Sequence, residues 1–201
     1  MRDPSLEIRS YFDGVAADYD RARAGEPSFL AQKRIVLEML GGHGGRVLDV
    51  GCGPAVMEAA LLERGLEVWG IDAAERMIEL GKARLAAHPA QSRCRLETGD
   101  VRHLRWPAEF FDLVISMGVL EYLPDAGAAL SEIRRVLRPG GIAVFTVPNR
   151  LCLYRAGRAI HDAVDALGRR ALGRAPASHE ALPARRCIPF LLDRELQRAG
   201  L

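Results

Sequence analysis

Three aspartates and two glycines are the residues whose types and spacing could do chemistry in this sequence. Asp49, Gly51 and Gly53 lie together in VLDVGCGPA, at the end of a run of apolar residues, and Asp72 ends the next such run. Asp100 follows a third run, in LETGDV. A carboxylate at such a position can accept hydrogen bonds from ribose hydroxyls or an exocyclic amine, and glycines let a ligand approach the backbone closely.

Each of these residues also has a purely structural interpretation. Two glycines after a strand are typical of a strand-to-helix turn, Asp72 followed by Glu75 resembles a helix N-cap with a reciprocal glutamate, and Asp100 could close a turn. The aspartates nevertheless fall at the ends of three successive apolar runs, where open α/β sheets bind their ligands. Their convergence predicts a nucleotide-binding edge.

Five short apolar runs, at residues 46–50, 67–71, 93–97, 112–116 and 141–147, predict β-strands separated by helices. DLVIS and IAVFTV are continuously apolar, as in strands buried on both faces of a parallel sheet. Helices are predicted for residues 54–65, with Pro54 at the first helical position, for the segment opened by Pro124 and Asp125, and for EPSFLAQKRIVLEML. This pattern is that of one α/β domain with a doubly wound, mostly parallel sheet.

Composition limits the partners of a chain of 201 residues. A formal net charge of +2 does not fit a nucleic-acid-binding protein, and no run approaches the roughly 18 apolar residues of a membrane span. The four scattered cysteines predict neither a metal site nor disulfides and favour a cytoplasmic location. Residues 150–174 combine an apolar face with arginines; they could cover a lipid-like acceptor, contact an anionic membrane surface peripherally, or simply pack on the domain.

Four stretches in order carry a resemblance to a known family: VLDVGCGPA, GIDAAERMIELGKAR, GDVRHLRWPAEFFDLVISMGVLEYLPD and ALSEIRRVLRPGGIAVFTVPN. Over residues 46–149 the sequence resembles the class I S-adenosylmethionine-dependent methyltransferases. The segment YFDGVAADYD resembles the leading part of small-molecule members, including methyltransferases of quinone biosynthesis. The resemblance implies a Rossmann-like fold with S-adenosyl-L-methionine as cofactor.

The resemblance also implies a role for each matching residue. Around the methionine part of the cofactor it places Gly51, Gly53 and Asp49, with Asp49 helping to hold the ammonium group. Around the nucleoside it places Asp72 on the ribose hydroxyls, Met77 beside the adenine, and Asp100 with Val101 at the adenine edge. Near the sulfonium it places Ser116 and Met117, and it gives Tyr11 and Tyr19 as aromatic residues that cover the cofactor.

Two departures from the family pattern stand out. Ala55 occupies the position of the usual third glycine, a mild change. The sequence also stops at Leu201, before the last two strands of the fold, so we expect the C-terminal antiparallel hairpin to be missing, as in a truncated product, a fragment or a naturally short form. The expected organisation is an N-terminal helical cap (1–45), a cofactor-binding core (46–149), and a helical insertion or lid with a final helix (150–201).

The predicted function is methyl transfer from S-adenosylmethionine to an oxygen, nitrogen or carbon atom of a small-molecule acceptor. SMGVLEYLP lacks the Asn/Asp-Pro-Pro-aromatic stretch that is typical of methyltransferases acting on nucleic-acid bases. Glu121 and Tyr122 are expected to shape the acceptor side. If the acceptor is a hydroxyl, the candidate bases are His103, which is beside Asp100, and Glu121, His161 and His179. The alternatives are a truncated or non-catalytic cofactor-binding module and, with Val56 against it, a nicotinamide-dependent oxidoreductase.

Overall fold

Five parallel strands form a single sheet at the centre of the molecule. The computed structural model describes residues 4–123, 126–147 and 196–201. Within them, the strands follow the order β3-β2-β1-β4-β5, and every neighbouring pair is parallel. Their bounds are β1 Arg46–Val50, β2 Glu67–Asp72, β3 Cys94–Thr98, β4 Phe111–Met117 and β5 Leu137–Thr146. The predicted α/β fold with a doubly wound sheet is therefore confirmed.

The strand β5 begins earlier than the apolar run 141–147 indicated. Phe111 pairs with Leu137 and Leu113 with Ile142, so the register shifts where Pro139 and two glycines interrupt the apolar pattern. Pairing with β4 resumes beyond the glycines and continues to Thr146. Backbone pairing here extends past the residues whose hydrophobicity identifies the strand.

The helices pack on both faces of the sheet and across its edge. Their bounds are α1 Pro4–Ala24, α2 Pro27–Met39, α3 Glu58–Glu63, α4 Glu75–Leu85 and α5 Ala126–Val136, with 3₁₀ turns at Gln91–Arg93 and Leu120–Tyr122. The expectation that Pro54 opens α3 is wrong. Gly53 and Ala55 have φ of +52° and +56°, so the backbone around Pro54 is a turn and the helix begins at Glu58.

Alternate residues of β1, β2, β4 and β5 enter two separate hydrophobic clusters. Val47 and Val68 pack on one face, with the helices α2, α3 and α4, and Leu48 and Trp69 pack on the other face, with α5. Burial of both faces explains why the strands are continuously apolar. The sheet is thus rigid, and its carboxyl edge provides a fixed platform.

The helix α1 crosses this edge and is fixed to α4. Phe12, Ala16 and Tyr19 pack with Met77 in a small apolar cluster. Polar contacts flank it: the backbone N–H of Arg76 donates to Asp13 at 3.0 Å, and Arg84 pairs with Asp20. Because α4 has no cap of its own, Asp13 satisfies one of the N–H groups at its start.

The segment 148–195, which includes His161 and His179, lies outside the described residues, so the predicted insertion stays a prediction, as does the division into three parts. The last described stretch, 196–201, is helical over 196–199, within the predicted final helix. None of the helices in the described ranges is long and apolar enough to cross a bilayer.

Candidate active site

A cavity of about 450 Å³ opens at the carboxyl ends of β1, β2, β3 and β4, beneath α1. This is the edge of the sheet to which the three aspartates were assigned. Residues from the strand ends, from α4 and from the 3₁₀ turn line it together with the first turns of α1. Its lining comprises Leu6, Ile8, Arg9, Phe12, Tyr19, Val50, Gly51, Gly53, Ile71, Asp72, Ala73, Met77, Thr98, Gly99, Asp100, Val101, Arg102, Met117, Gly118, Val119, Tyr122 and Leu123.

Asp72 is a polar group of this lining that backbone hydrogen bonds hold in place. The backbone N–H of Gly53 donates to Oδ2 and that of Ala74 donates to Oδ1, each at 2.9 Å. Burial raises the pKa of Asp72, and these two hydrogen bonds oppose the rise. The contacts fix the plane of the carboxylate, which has capacity for further hydrogen bonds from hydroxyl groups.

The alternative capping box is not formed. The helix α4 has Ala74 as its N-cap without a side-chain hydrogen bond, and Glu75 is 70% exposed and faces Arg9 at 4.0 Å. Asp72 instead connects β2, through its hydrogen bond from Gly53, to the glycine turn formed by residues 51–53 after β1. The reciprocal contact of Glu75 is thus absent, while Asp72 itself accepts the backbone N–H of Ala74, the N-cap residue of α4.

The glycine turn fits tightly under the loop that follows β4. Gly51 has φ of +71°, and a Cβ atom at this position would lie 2.1 Å from Cγ2 of Val119. The N–H groups of Gly51 and Cys52 both donate to the carbonyl of Ile71, at 2.7 and 3.1 Å. Glycine is required here because the chain must turn in the left-handed region while the loop packs against it.

Asp100 is held by the residue two positions after it. The side chain of Arg102 donates to both oxygens of Asp100, at 2.6 to 3.0 Å, and its backbone N–H donates at 2.9 Å. These hydrogen bonds lower the pKa of Asp100, which therefore stays ionised. Val101 is buried next to it and presents an apolar wall to the cavity.

Aromatic side chains close the cavity on the side of α1. Phe12 makes edge-to-face contacts with Tyr11, Tyr19 and Tyr122, at centroid distances of 5.4, 5.9 and 5.3 Å. Burial raises the pKa of Tyr122, so its hydroxyl remains protonated at neutral pH. Tyr11 does not reach the lining and supports Phe12 from outside.

Comparison with known proteins identifies the domain that carries this edge. Residues 48–145 match the family model described as a methyltransferase domain. They form a class I S-adenosylmethionine-dependent methyltransferase domain. The match contains the ends of all four strands that surround the cavity.

Curated relatives of this methyltransferase domain act on different molecules. The chain is 33% identical over 137 residues to a malonyl-[acyl-carrier protein] O-methyltransferase of Serratia marcescens, covering 66% of this chain and 51% of the relative. It is 31% identical over 118 residues to a ubiquinone biosynthesis O-methyltransferase of Azoarcus sp. (strain BH72), covering 57% and 50%. The matches thus span about half the length of these two relatives.

Solved structures support the fold. A methyltransferase of Thermotoga maritima superimposes with a TM-score of 0.73 at 19% identity, covering 95% of this chain and 80% of that one. The [4+2]-cyclase SpnF superimposes with a TM-score of 0.74 at 21% identity, covering 97% and 72%. Because a cyclase shares the architecture, the fold by itself does not establish methyl transfer.

The cavity of the methyltransferase domain offers acceptors for hydroxyl groups and apolar walls for a base. Asp72 offers oriented acceptors for hydroxyls, and Gly51 leaves the backbone open to the ligand. Gly99 is also needed, because a Cβ atom there would lie 2.5 Å from Cδ1 of Ile71. These residues fit S-adenosylmethionine, and Asp72, Gly51, Gly53 and Val101 would hold it.

The structure brings most predicted site residues to one place. Those that line the cavity are Tyr19, Gly51, Gly53, Asp72, Met77, Asp100, Val101, Met117 and Tyr122. Asp49, Ser116 and Glu121 are buried behind the lining, and His103 is exposed in the loop after β3. The roles assigned to all of these residues stay predictions.

Sequence reasoning missed the contribution of the first helix. Leu6, Ile8, Arg9 and Phe12 line the cavity, although we predicted only tyrosines from this region. A signal was present: Ile8, Phe12, Ala16 and Tyr19 recur at intervals of three and four residues, typical of one helical face. Arg102 was also missed, since nothing in the sequence shows that it folds back onto Asp100.

Proposed function

We propose that this chain transfers a methyl group from S-adenosylmethionine to a small-molecule acceptor. The single observation that supports the proposal most directly is the carboxylate of Asp72, fixed by two backbone amides at the wall of the cavity. It lies between the glycine turn after β1 and the Gly99–Val101 segment after β3. A nucleoside placed there would have acceptors for its hydroxyls and apolar contacts for its base.

When bound, S-adenosylmethionine supplies an electrophilic methyl group on a sulfonium. The residues of this chain contribute alignment and exclusion of water, which are the main requirements of a direct displacement. Met117 at the end of β4, Gly118 after it, and the faces of Tyr19 and Tyr122 border the space in which the methionine end would lie. Tyr122 keeps its hydroxyl proton, so it can donate a hydrogen bond to an acceptor but not act as a base.

The acceptor side is mainly apolar. Leu6, Ile8 and Phe12 of α1 line the cavity together with Val119 and Leu123. This lining fits an aromatic or lipid-like acceptor, and the named relatives of quinone biosynthesis support the same class. The guanidinium of Arg9 at the rim would pair with an acidic group on such a molecule.

Binding is tested by calorimetric titration with S-adenosylhomocysteine, with NADH as the competing nucleotide. We expect micromolar affinity for S-adenosylhomocysteine and none for NADH. Asp72→Asn should weaken binding by about 10- to 100-fold, because a charged hydrogen bond is worth about 1.5–3 kcal/mol. Asp18→Asn, an 80% exposed carboxylate on α1, is the matched control and should bind like the wild type.

Catalysis is tested with methyl-labelled S-adenosylmethionine and a cell extract fractionated after the reaction. We expect the label in the organic-extractable small-molecule fraction. Label in nucleic acid would contradict the proposed acceptor class. Binding of the cofactor without transfer of label to any fraction would instead favour the non-catalytic module. If calorimetry detects no binding of S-adenosylhomocysteine, the cofactor assignment is refuted.

A further inference from the structure

An ion pair forms part of the cavity wall just after β3 and has no role in the mechanism above. Asp100 and Arg102 both line the cavity, and their side chains are 39% and 26% exposed. Nε of Arg102 donates to both carboxylate oxygens at 3.0 Å, Nη2 donates to Oδ2 at 2.6 Å, and the backbone N–H of the same residue donates to Oδ1. One residue thus holds the carboxylate through three N–H groups.

This geometry fixes both the direction and the charge of the carboxylate. A guanidinium fork is planar, so it holds the plane of the carboxylate as well as its position. The same hydrogen bonds lower the pKa of Asp100, which keeps this group an acceptor without a proton to donate. Since a carboxylate accepts about four hydrogen bonds, Asp100 has capacity for about one more donor from the cavity.

The two carboxylates of the cavity wall are held in different ways. Backbone amides hold Asp72, whereas the side chain of Arg102 contributes most of the hydrogen bonds that hold Asp100. A single substitution therefore releases Asp100 while the backbone hydrogen bond of the loop stays in place.

The carboxylate also lies next to an apolar surface. Val101, which is 8% exposed, follows Asp100 directly and lines the same cavity. A nucleobase packs its faces on such surfaces and carries its hydrogen-bonding groups at its edge. Adenine presents an exocyclic amine there, which is a donor, whereas hypoxanthine presents a carbonyl oxygen, which is an acceptor. A fixed carboxylate beside the apolar surface can distinguish the two.

We propose that Arg102 is a positioning residue that determines specificity for adenine, because it holds Asp100 as an acceptor for the exocyclic amine of the base. A base with a carbonyl oxygen at that position would face an ionised carboxylate with no proton between the two oxygens, so it would bind weakly. Without the guanidinium the carboxylate can turn toward water, and this penalty falls. The inference rests on the proposed function, which places a nucleoside in the cavity.

Calorimetric titration with S-adenosylhomocysteine and with S-inosylhomocysteine tests the proposal. The two ligands carry the same charge, so the change in the charge of the cavity when Arg102 is replaced cancels in the ratio of their dissociation constants. We expect the wild type to bind S-adenosylhomocysteine about 10- to 100-fold more tightly, the range for one charged hydrogen bond. Arg102→Met should lower this ratio about tenfold, and Arg102→Lys, which keeps the charge without the fork, should lower it as well.

A double-mutant cycle shows whether Arg102 acts through Asp100. The amide in Asp100→Asn can donate as well as accept, so this variant should lose the discrimination, and adding Arg102→Met to it should change the ratio no further. Arg105→Met is the matched control, because Arg105 is a 69% exposed arginine of the same loop that pairs with Glu97 and lies outside the lining. It should keep the wild-type ratio.

Three results would overturn this proposal and leave the proposed function in place. They are a wild-type ratio near one, an unchanged ratio in Arg102→Met and Arg102→Lys, and a further change of the ratio when Arg102→Met is added to Asp100→Asn. A purely structural role of Arg102 would weaken both ligands equally and so belongs to the second result. Failure of both ligands to bind the wild type would overturn the proposed function and this proposal with it.

Discussion

Ala55 and Gly81 should be energetically coupled, because the absence of a side chain at Gly81 leaves space for the methyl group of Ala55. Ala55 is fully buried and has φ of +56°, a conformation that costs a non-glycine residue about 1–2 kcal/mol. A Cβ atom at Gly81, in α4, would lie 2.9 Å from the Cβ of Ala55 and 2.9 Å from Cδ1 of Leu96. The missing side chain at Gly81 thus makes room for the methyl group that replaces the family's third glycine.

The expected magnitudes follow from these contacts. Gly81→Ala would ordinarily gain about 0.5–1 kcal/mol in a helix, but overpacking costs about 1–3 kcal/mol, so we expect a net loss of about 1–2 kcal/mol. Ala55→Gly releases the backbone strain and loses one buried methyl group worth about 0.8 kcal/mol, so it should be nearly neutral. In the double variant only the flexible end of Leu96 has to move, and the loss at Gly81 should largely disappear.

Urea unfolding followed by far-UV circular dichroism measures the free energy of unfolding of all four proteins in this cycle. We expect a coupling energy of about 1–2 kcal/mol, with the double variant more stable than Gly81→Ala. Simple additivity of the two changes would refute the reasoning. It would show that the clash is with Leu96 or the backbone and that the two positions are independent.

Two further predictions concern the turn and the buried carboxyl. Gly51→Ala should destabilise the protein by more than about 2 kcal/mol and abolish S-adenosylhomocysteine binding, because its Cβ would displace Val119. Gly53→Ala, with no atom within 4 Å of its Cβ, should cost only about 1 kcal/mol of backbone strain. Chemical denaturation measures the two losses of stability, and calorimetry measures binding. Burial raises the pKa of Glu58 from 4.5 to about 7 in the native state. Between these two pH values the native protein binds more protons than the unfolded chain, so the free energy of unfolding falls by about 3 kcal/mol as pH rises from 4.5 to 7. Glu58→Gln should lessen that fall, while the part due to Asp49, whose pKa burial also raises, remains. Parallel urea titrations at pH 5 and pH 8 would contradict this prediction if wild type and variant changed alike.

The central strands could be predicted from the sequence because they are buried on both faces. Apolar runs indicated all five strands, and β1 has the predicted bounds, whereas β3 alternates polar and apolar residues at the edge of the sheet. The carboxyl-edge location of Asp72 and Asp100 followed from strand order alone. What failed was local: Pro54 lies in a turn because Ala55 adopts a left-handed conformation that its residue type does not reveal.

Other features depend on contacts between distant parts of the chain. Glu58 has the sequence pattern of an ordinary helix-starting acid, and only the tertiary packing of α3, which contacts β2, buries it. The contribution of α1 to the cavity likewise depends on its docking against α4 through Met77 and Asp13. Local patterns cannot show such tertiary placements, although the helical spacing within α1 indicated its apolar face.

A crystal structure of the chain grown with S-adenosylhomocysteine tests the central claim most directly. The account predicts both ribose hydroxyls within hydrogen-bonding distance of the Asp72 carboxylate, which keeps its bonds to the amides of Gly53 and Ala74. The adenine should lie against Met77 and Val101. A nucleoside bound elsewhere, or an Asp72 that does not touch the ribose, would contradict the account.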